Sequence, residues 1–380
     1  MSESILRHGG WRTALYTSPD LVRIEERICV AGRPISARRF ASLIQRIRQA
    51  ERVQLRRQLI DRPLTYFEFI TVCAFLHFAE ERIDIAVVEV GLGGALDATN
   101  VVRPRACVIT GISYDHQNLL GNTLTEIAGE KAGIIKKGVP VVSGCRSADA
   151  RRVIRRKAHL LDAPLLEIDR DCVVRIVGDR RGFCTIALET PRRSYRGLRL
   201  SLAGEYQARN AALAVLAVES LEAIPVTRRG VRLGLSRTRW PGRLDEYRAG
   251  RRTLLEGAHN PEGASLLRRF LLNQKESEVH LVFGAVRDKD IRKMSGSLFP
   301  LAQSIHLTPL SNSRSASAED IAAMHPRFRG RTELYANARA ALRAAWNRCS
   351  RKGLVVVTGS LYLVGELLPL VRAAAKKQTG

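Results

Sequence analysis

The sequence has no stretch of 18 uncharged apolar residues, which excludes a membrane-spanning helix. Its first residues, Met1-Ser-Glu-Ser-Ile-Leu-Arg-His8, carry an early acid and no long apolar core, so they are not read as a secretory signal. Among seven cysteines no two are spaced Cys-x-x-Cys, which argues against a disulfide framework or a zinc site. Several sit inside apolar runs such as Ala106-Cys-Val-Ile109 and are expected to be reduced core thiols of a cytoplasmic protein. Lysine is scarce, with only 10 among the 62 basic residues. The rest are arginines scattered along the chain, as at Arg38-Arg39, Arg151-Arg152 and Arg192-Arg193. Aromatic residues do not interleave with them, which excludes the stacking surface of a nucleic-acid binder. A formal charge of +25 leaves two readings, a polyanionic partner or an arginine-biased, solvated surface. The scatter favours the second, although the field still draws in ligands rich in phosphate and carboxylate.

What is present is an ordinary globular composition, 45% apolar and 26% charged, in a chain long enough for two or three domains. Residues 2–8 read as a helix closed by Gly9-Gly10, with no strand or turn ahead of it. A short strand over 12–17 follows, then helices over 36–60 and 66–82 and a strand over 83–90. Strand 106–110, helix 123–136 and strand 139–142 continue an alternation that indicates a parallel, doubly wound α/β sheet. Alternating runs near 165–201 predict a small antiparallel insertion, and residues 207–222 return to helix. Trp240-Pro241-Gly242-Arg243 breaks the pattern, so the domains are drawn at 1–243 and 244–380. The second has strands at 253–256, 280–283, 304–307 and 354–358 and helices near 261–272, 317–323, 337–349 and from 362 onward.

The run Glu89-Val-Gly-Leu-Gly-Gly-Ala-Leu-Asp-Ala-Thr-Asn100 places a carboxylate, a glycine turn and small polar groups at a strand's C-terminal end. Such a carboxylate suits Mg²⁺ held together with substrate phosphates, or else caps a helix or pairs with a cation. Gly91-x-Gly93 lacks a third glycine at position 96, so the run is not the dinucleotide fingerprint. Asp115-His116 closes the next strand, where His116 is either a metal ligand oriented by Asp115 or a surface histidine. Lys131, next to Glu130 on a helix, is a phosphate ligand, a lysine carbamylated by carbon dioxide, or a solvated cation. Gly257-Ala-His259-Asn260-Pro261 opens a helix whose N-terminus favours anions, and Ser360 holds a similar strand-end position. Each of these signals is modest alone, but all of them fall at the C-terminal edge of an expected strand.

In this order and spacing the chain resembles the folylpolyglutamate synthase/dihydrofolate synthase family of the Mur-ligase superfamily. The residues that carry the resemblance run nearly end to end. They include Tyr16-Thr-Ser-Pro-Asp-Leu21, Tyr66-Phe-Glu-Phe69, Glu89-Val-Gly-Leu-Gly-Gly94, Leu96-Asp-Ala-Thr-Asn100, Asp115-His116 and Glu130-Lys-Ala-Gly-Ile134. They continue through Gln207-x-x-Asn210, Pro241-Gly-Arg243, Gly257-Ala-His-Asn260 and Thr358-Gly-Ser-Leu-Tyr362.

The resemblance implies a Mur-ligase-like α/β fold, with a P-loop-type parallel-sheet ATPase domain and a smaller Rossmann-like C-terminal domain. It implies an ATP-dependent ligase adding L-glutamate to dihydropteroate, to (poly)glutamyl tetrahydrofolate, or to both, through an acyl phosphate. Glu89 and His116 would hold Mg²⁺, and Lys131 would be carbamylated. Asn210, Arg243, Glu256 and His259 would contact ATP from across the domain interface, and Leu96, Asp97, Ala98 and Thr99 would line the pterin pocket. The expected partners are these small molecules alone, with no nucleic acid and no membrane, for a cytoplasmic monomer. The chain departs from the pattern in four places: Asp20 and Tyr206 stand for His, Ala95 for Arg, and Glu256 for Asp. It has no Gly-Lys dipeptide, so the family's Gly-Thr-Asn-Gly-Lys-Gly-Ser loop is missing, and the expectation is that the first strand and that loop have been lost. Two alternatives follow, an impaired folate- or glutamate-binding paralogue and a ligase for another Mur-type substrate.

Overall fold

The structure, a computed structural model, describes residues 1–114 and 117–377. These fall into two units: residues 1–178, 184–201 and 207–238 make the first, and 179–183, 202–206 and 239–380 the second.

The first unit begins with α1 (Ser2–His8), β1 (Thr13–Tyr16), β2 (Ile28–Val30) and β3 (Arg33–Pro34). Next come α2 (Ala37–Arg56), α3 (Tyr66–Glu80) and β4 (Ile85–Val88), then β5 (Cys107–Ile109), α4 (Gln117–Leu120), α5 (Leu124–Ala132) and β6 (Val141–Ser143). α6 (Ala148–Leu160), β7 (Leu165–Glu167) and α7 (Ile168–Asp171) precede the three strands β8 (Val173–Arg180), β9 (Phe183–Glu189) and β10 (Ser194–Arg199). α8 (Tyr206–Glu219) and α9 (Arg228–Arg237) close the unit.

Local chemistry sets several of the helix starts. Ser36 caps α2, and capping boxes fix α3 (Thr65 with Glu68) and α5 (Thr123 with Glu126). α1 lies against α9 on glycine: a Cβ at Gly234 would stand 2.4 Å from the Ile5 Cα, and the Ser4 hydroxyl donates to the Gly234 carbonyl at 2.8 Å.

The expected single parallel sheet is two sheets. One runs β3-β2-β1-β4 with β1 and β4 parallel, and the other is the parallel β5-β6-β7. Among the described residues no ladder joins β4 to β5, because residues 89–106 leave β4 through a glycine turn and a 3₁₀ helix. Both sheets cover one core, in which Ile85, Val87, Val108 and Val142 meet the apolar face of α8. Leu165–Glu167, at the start of the stretch read as an antiparallel insertion, pairs parallel with β6, so the separate sheet β10-β9-β8 starts only at Val173.

The second unit contains β11 (Asp245–Arg248), β12 (Arg252–Leu255), α10 (Pro261–Asn273), β13 (Val279–Phe283) and α11 (Ile291–Leu298). It continues with β14 (Ser304–Leu307), α12 (Ala318–Ala323), β15 (Thr332–Leu334), α13 (Ala338–Arg348), β16 (Leu354–Thr358) and α14 (Leu361–Lys376). Its sheet is ordered β11-β12-β16-β13-β14-β15 and is parallel from β12 onward. Every residue of β13, β14 and β16 is buried, as helix-covered parallel strands require. β16 is inserted between β12 and β13, so the loops leaving those two strands diverge around it, the arrangement that opens a crevice at strand C-termini.

Candidate active site

In the first unit Glu89 follows β4 directly. Its N–H donates to the Tyr16 carbonyl at 2.9 Å and its Oε2 accepts the Ser18 N–H at 3.0 Å, so the ends of β1 and β4 hold the carboxylate from two sides. The side chain is exposed. An oriented, exposed carboxylate fits the demands of Mg²⁺, which takes one or two carboxylates and keeps its remaining positions for water and phosphate. Asp20, four residues from β1, is engaged with Arg27 at 2.6 Å.

The turn after Glu89 is tied by one side chain. Asp97 Oδ2 accepts the N–H groups of Gly91 and Leu92, both at 3.0 Å, while Oδ1 accepts the Thr99 N–H at 2.9 Å and the Thr99 hydroxyl at 2.5 Å. Asn100 donates to the Ala95 carbonyl at 2.9 Å, and the Ala95 N–H donates to the Glu130 carbonyl at 3.0 Å, which fastens the turn to α5. Glycine is needed where the turn is pressed on its neighbours: a Cβ at Gly91 would lie 2.4 Å from the Phe67 ring, and one at Gly133 2.4 Å from Ala95. Of the four residues expected to line a pocket, Thr99 is buried, Asp97 and Ala98 are half-buried, and Leu96 stands out with 95% of its surface exposed. Leu92, Val101, Tyr66 and Leu119 are further exposed apolar side chains. Asp97 and Thr99 therefore shape the turn, and Leu96 is the member that projects.

Lys131 lies in the last turn of α5, half-buried. His116 and Asp115 lie outside the described residues. Beyond the residues expected from sequence, Arg209 donates to the Gly144 carbonyl at 3.1 Å, just after β6, and to Asp169 Oδ2 at 2.8 Å, holding the Asp169 carboxyl below its usual range. Its signal in the sequence was one more arginine among many. Asn210, exposed, donates to the buried Gln207 side chain at 3.0 Å.

In the second unit Glu256 ends β12 and is only 5% exposed. Its Oε2 accepts the Leu244 N–H at 2.7 Å and its Oε1 the Arg243 Nη1 at 3.4 Å. Burial pushes this carboxyl above the usual range, against the opposing pull of Arg243. His259 Nδ1 is 2.8 Å from the Gly257 carbonyl, and Asn260 caps α10 by accepting the Gly263 N–H at 2.8 Å with Pro261 at the first helical position. At the end of β16, Gly359 has φ +104° and a Cβ there would stand 2.5 Å from the Gly284 carbonyl. The Thr358 hydroxyl, fully buried beside that glycine, has no hydrogen-bond partner among the described residues, and Ser360 caps α14. Glu256, Arg243, Thr358 and Ser360 thus gather acid, base and hydroxyl groups at adjacent ends of β12 and β16, a fitting lining for a polar ligand.

Comparison with known proteins gives a consistent result for both units. Residues 41–218 match the Mur ligase middle domain, and residues 242–361 the glutamate ligase domain of Mur ligases. Over 381 residues the chain is 35% identical to the dihydrofolate synthase/folylpolyglutamate synthase of Bacillus subtilis, an alignment spanning 96% of this chain and 85% of that protein. It is 34% identical to the folylpolyglutamate synthase of Lacticaseibacillus casei, across 96% of this chain and 84% of the relative. The folylpolyglutamate synthase of Thermotoga maritima matches with a TM-score of 0.86 at 30% identity, covering 98% of this chain and 85% of that one. The Mycobacterium tuberculosis folylpolyglutamate synthase, solved with ADP and AMPPCP, matches with a TM-score of 0.88 at 29% identity, covering 97% and 88%.

Proposed function

The chain belongs to the dihydrofolate synthase/folylpolyglutamate synthase family of Mur ligases, and we propose that it joins L-glutamate to a folate-type carboxylate at the expense of ATP. The acceptor is dihydropteroate, a (poly)glutamyl tetrahydrofolate, or both. The observation that carries the reading is that identity of 35% with the dihydrofolate synthase/folylpolyglutamate synthase of Bacillus subtilis extends over 96% of the chain, with two Mur ligase domains matched.

In this mechanism the acceptor carboxylate attacks the γ-phosphorus of ATP, giving an acyl phosphate and ADP. The glutamate amine then attacks the acyl carbon, and the tetrahedral intermediate expels phosphate as the amide forms. Positioning and charge neutralisation are what the protein contributes. Mg²⁺, when bound, neutralises phosphate charge and polarises the phosphoryl group. Glu89 is its proposed ligand, with His116 as a second. Lys131 is assigned as the carbamylated lysine, a carboxylate-like group in place of a cation. Arg243, Glu256, His259 and Asn210 are assigned to ATP. Leu96 covers the flat pterin ring, while Asp97, Ala98 and Thr99 keep the turn in shape for it. The reading includes a cytoplasmic monomer. No helix among the described residues is long and apolar enough to cross a membrane.

A second reading is a binder of the same ligands that does not ligate them. A coupled assay of ADP release separates the two. With ATP and Mg²⁺ present, ADP formation that needs both glutamate and dihydropteroate or tetrahydrofolate supports the ligase. Saturable folate binding without ADP formation supports the binder. Turnover only with a muramyl precursor overturns both.

A further inference from the structure

The second unit has a polar chain buried inside an otherwise apolar sheet, away from the residues assigned to ATP. It starts at Glu278, just before β13, whose Oε1 is 2.9 Å from His280 Nε2. His280 Nδ1 is 2.6 Å from the Ser304 hydroxyl, which is 2.7 Å from His306 Nε2. His306 Nδ1 is 3.1 Å from the Tyr335 hydroxyl, and that hydroxyl meets Glu333 Oε2 at 2.5 Å. His280, Ser304 and His306 are all buried, in two strands whose other positions are Val, Leu, Ile and Phe.

Counting protons in this chain is informative. It has five hydrogen-bonded links, each of which needs one proton. With both glutamates ionised, two neutral imidazoles, one serine and one tyrosine supply four. Ser350 donates its backbone N–H to Glu278 at 2.7 Å and its hydroxyl to the other carboxylate oxygen. Burial drives His306 down to about 4, so it is neutral. If Tyr335 donates to Glu333, His306 must donate to Tyr335, Ser304 to His306, and His280 Nδ1 to Ser304. That leaves His280 Nε2 as a bare lone pair facing the Glu278 carboxylate. Either a fifth proton on Nε2 or a metal ion between the two acceptors completes the first link.

A third soft ligand stands at the same place. Cys349, at the C-terminal end of α13, brings its Sγ to Glu278 and His280 so that the three ligand atoms all lie within 4.8 Å of one another. Glycine at 353 leaves the room: a Cβ there would lie 2.7 Å from the Glu278 carboxyl carbon and 2.8 Å from the Cys349 Sγ. Bond lengths of about 2.0 Å to nitrogen and oxygen and about 2.3 Å to sulfur are on the scale of this triangle. Glu278 retains some exposure and Ser350 is exposed, which gives an ion a way in and room for a water as fourth ligand.

We propose that Glu278, His280 Nε2 and Cys349 Sγ form a three-ligand site for a zinc-type divalent cation, with Ser304, His306, Tyr335 and Glu333 as the outer chain that fixes the His280 tautomer. One carboxylate, one thiolate and one neutral imidazole balance a divalent charge, and the outer hydrogen bond from Nδ1 is the usual companion of a metal-bound imidazole. Binding forms a metal–sulfur bond and releases the Cys349 thiol proton to solvent. Cysteine spacing alone gave no sign of it, because the three ligands come from β13, the residue before it and the end of a helix about 70 residues later in the chain.

Cobalt(II) added to the metal-stripped full chain tests this directly. The expected result is one equivalent bound, with a thiolate-to-cobalt charge-transfer band in the near ultraviolet and strong visible bands of a tetrahedral ion, all removed by zinc. Cys349→Ser should abolish the charge-transfer band, and Glu278→Gln, which keeps the thiol, should weaken binding by at least about 10-fold. Circular dichroism of both variants checks the fold. Absence of the charge-transfer band in the parent chain, its persistence in Cys349→Ser, or unchanged affinity in a folded Glu278→Gln would each overturn the assignment.

Discussion

The Glu89 carboxylate accepts the Ser18 backbone N–H at 3.0 Å, so the acid at the end of β4 is aimed by the loop that leaves β1. Gln at position 89 keeps the acceptor oxygen and the shape while removing the charge. Glu89→Gln is expected to leave the melting temperature within the effect of about 0.5 kcal/mol typical of surface changes. Turnover should fall on the order of 100-fold or more, with a raised Mg²⁺ requirement, as for loss of a group that stabilises transition-state charge. Kinetics at varied Mg²⁺ alongside thermal melts check both halves.

Leu96 and Asp97 are neighbours with opposite expected phenotypes. Asp97→Ala removes the acceptor for three N–H groups and one hydroxyl of the turn and should destabilise the protein by about 2–3 kcal/mol in urea titrations. Leu96→Ala, at a side chain 95% exposed, should leave stability unchanged to within about 0.5 kcal/mol. Its effect should be a higher KM for the pterin substrate with little change in the KM for ATP.

Gly133→Ala tests the seat of the same turn on α5. The new Cβ would stand 2.4 Å from the Ala95 Cα and Cβ, where backbone rather than a flexible tip has to yield. A loss of about 1–3 kcal/mol is expected, seen as a lower urea midpoint at unchanged slope.

Glu256 predicts a pH dependence whose sign follows from its burial. Its carboxyl titrates above its ordinary range in the folded protein, so ionising it is harder there than in the unfolded chain. The stability that its protonated form contributes is complete below the ordinary carboxylate pKa and is lost as pH rises through the elevated one. Glu256→Gln retains an acceptor for the Leu244 N–H and cannot ionise. Its stability relative to the parent should therefore improve between pH 4 and pH 8, measured by urea unfolding at each pH.

Much of this was legible in the sequence, and the gaps have physical reasons. β13, β14 and β16 are short apolar runs between turn signals, and α10 announces itself by Asn260 and Pro261. α6 and α9 escaped notice because arginines crowd their short buried stripes: Ala150, Ile154 and Ala158 in the one, Gly230, Val231, Gly234 and Leu235 in the other. β2, β3, β7 and β15 span three residues or fewer and take their identity from partners rather than from local pattern. At the site, strand-end placement singled out Glu89 and the family resemblance singled out Glu256, but only the folded chain assigns Asp97 to the turn and leaves Leu96 outward. The Glu278–Glu333 chain joins three strands and the residues flanking them, so no segment of the sequence displays it.

The most direct test of the central claim is isotope transfer from the acceptor. Dihydropteroate and tetrahydrofolate, each labelled with ¹⁸O in its acceptor carboxylate, are incubated in turn with this chain, ATP, Mg²⁺ and glutamate, and the released phosphate is analysed by mass spectrometry. An acyl-phosphate ligase transfers one carboxylate oxygen, so phosphate carrying a single ¹⁸O should appear together with the glutamylated product. Phosphate free of label, or no glutamate-dependent phosphate at all, would contradict the assignment.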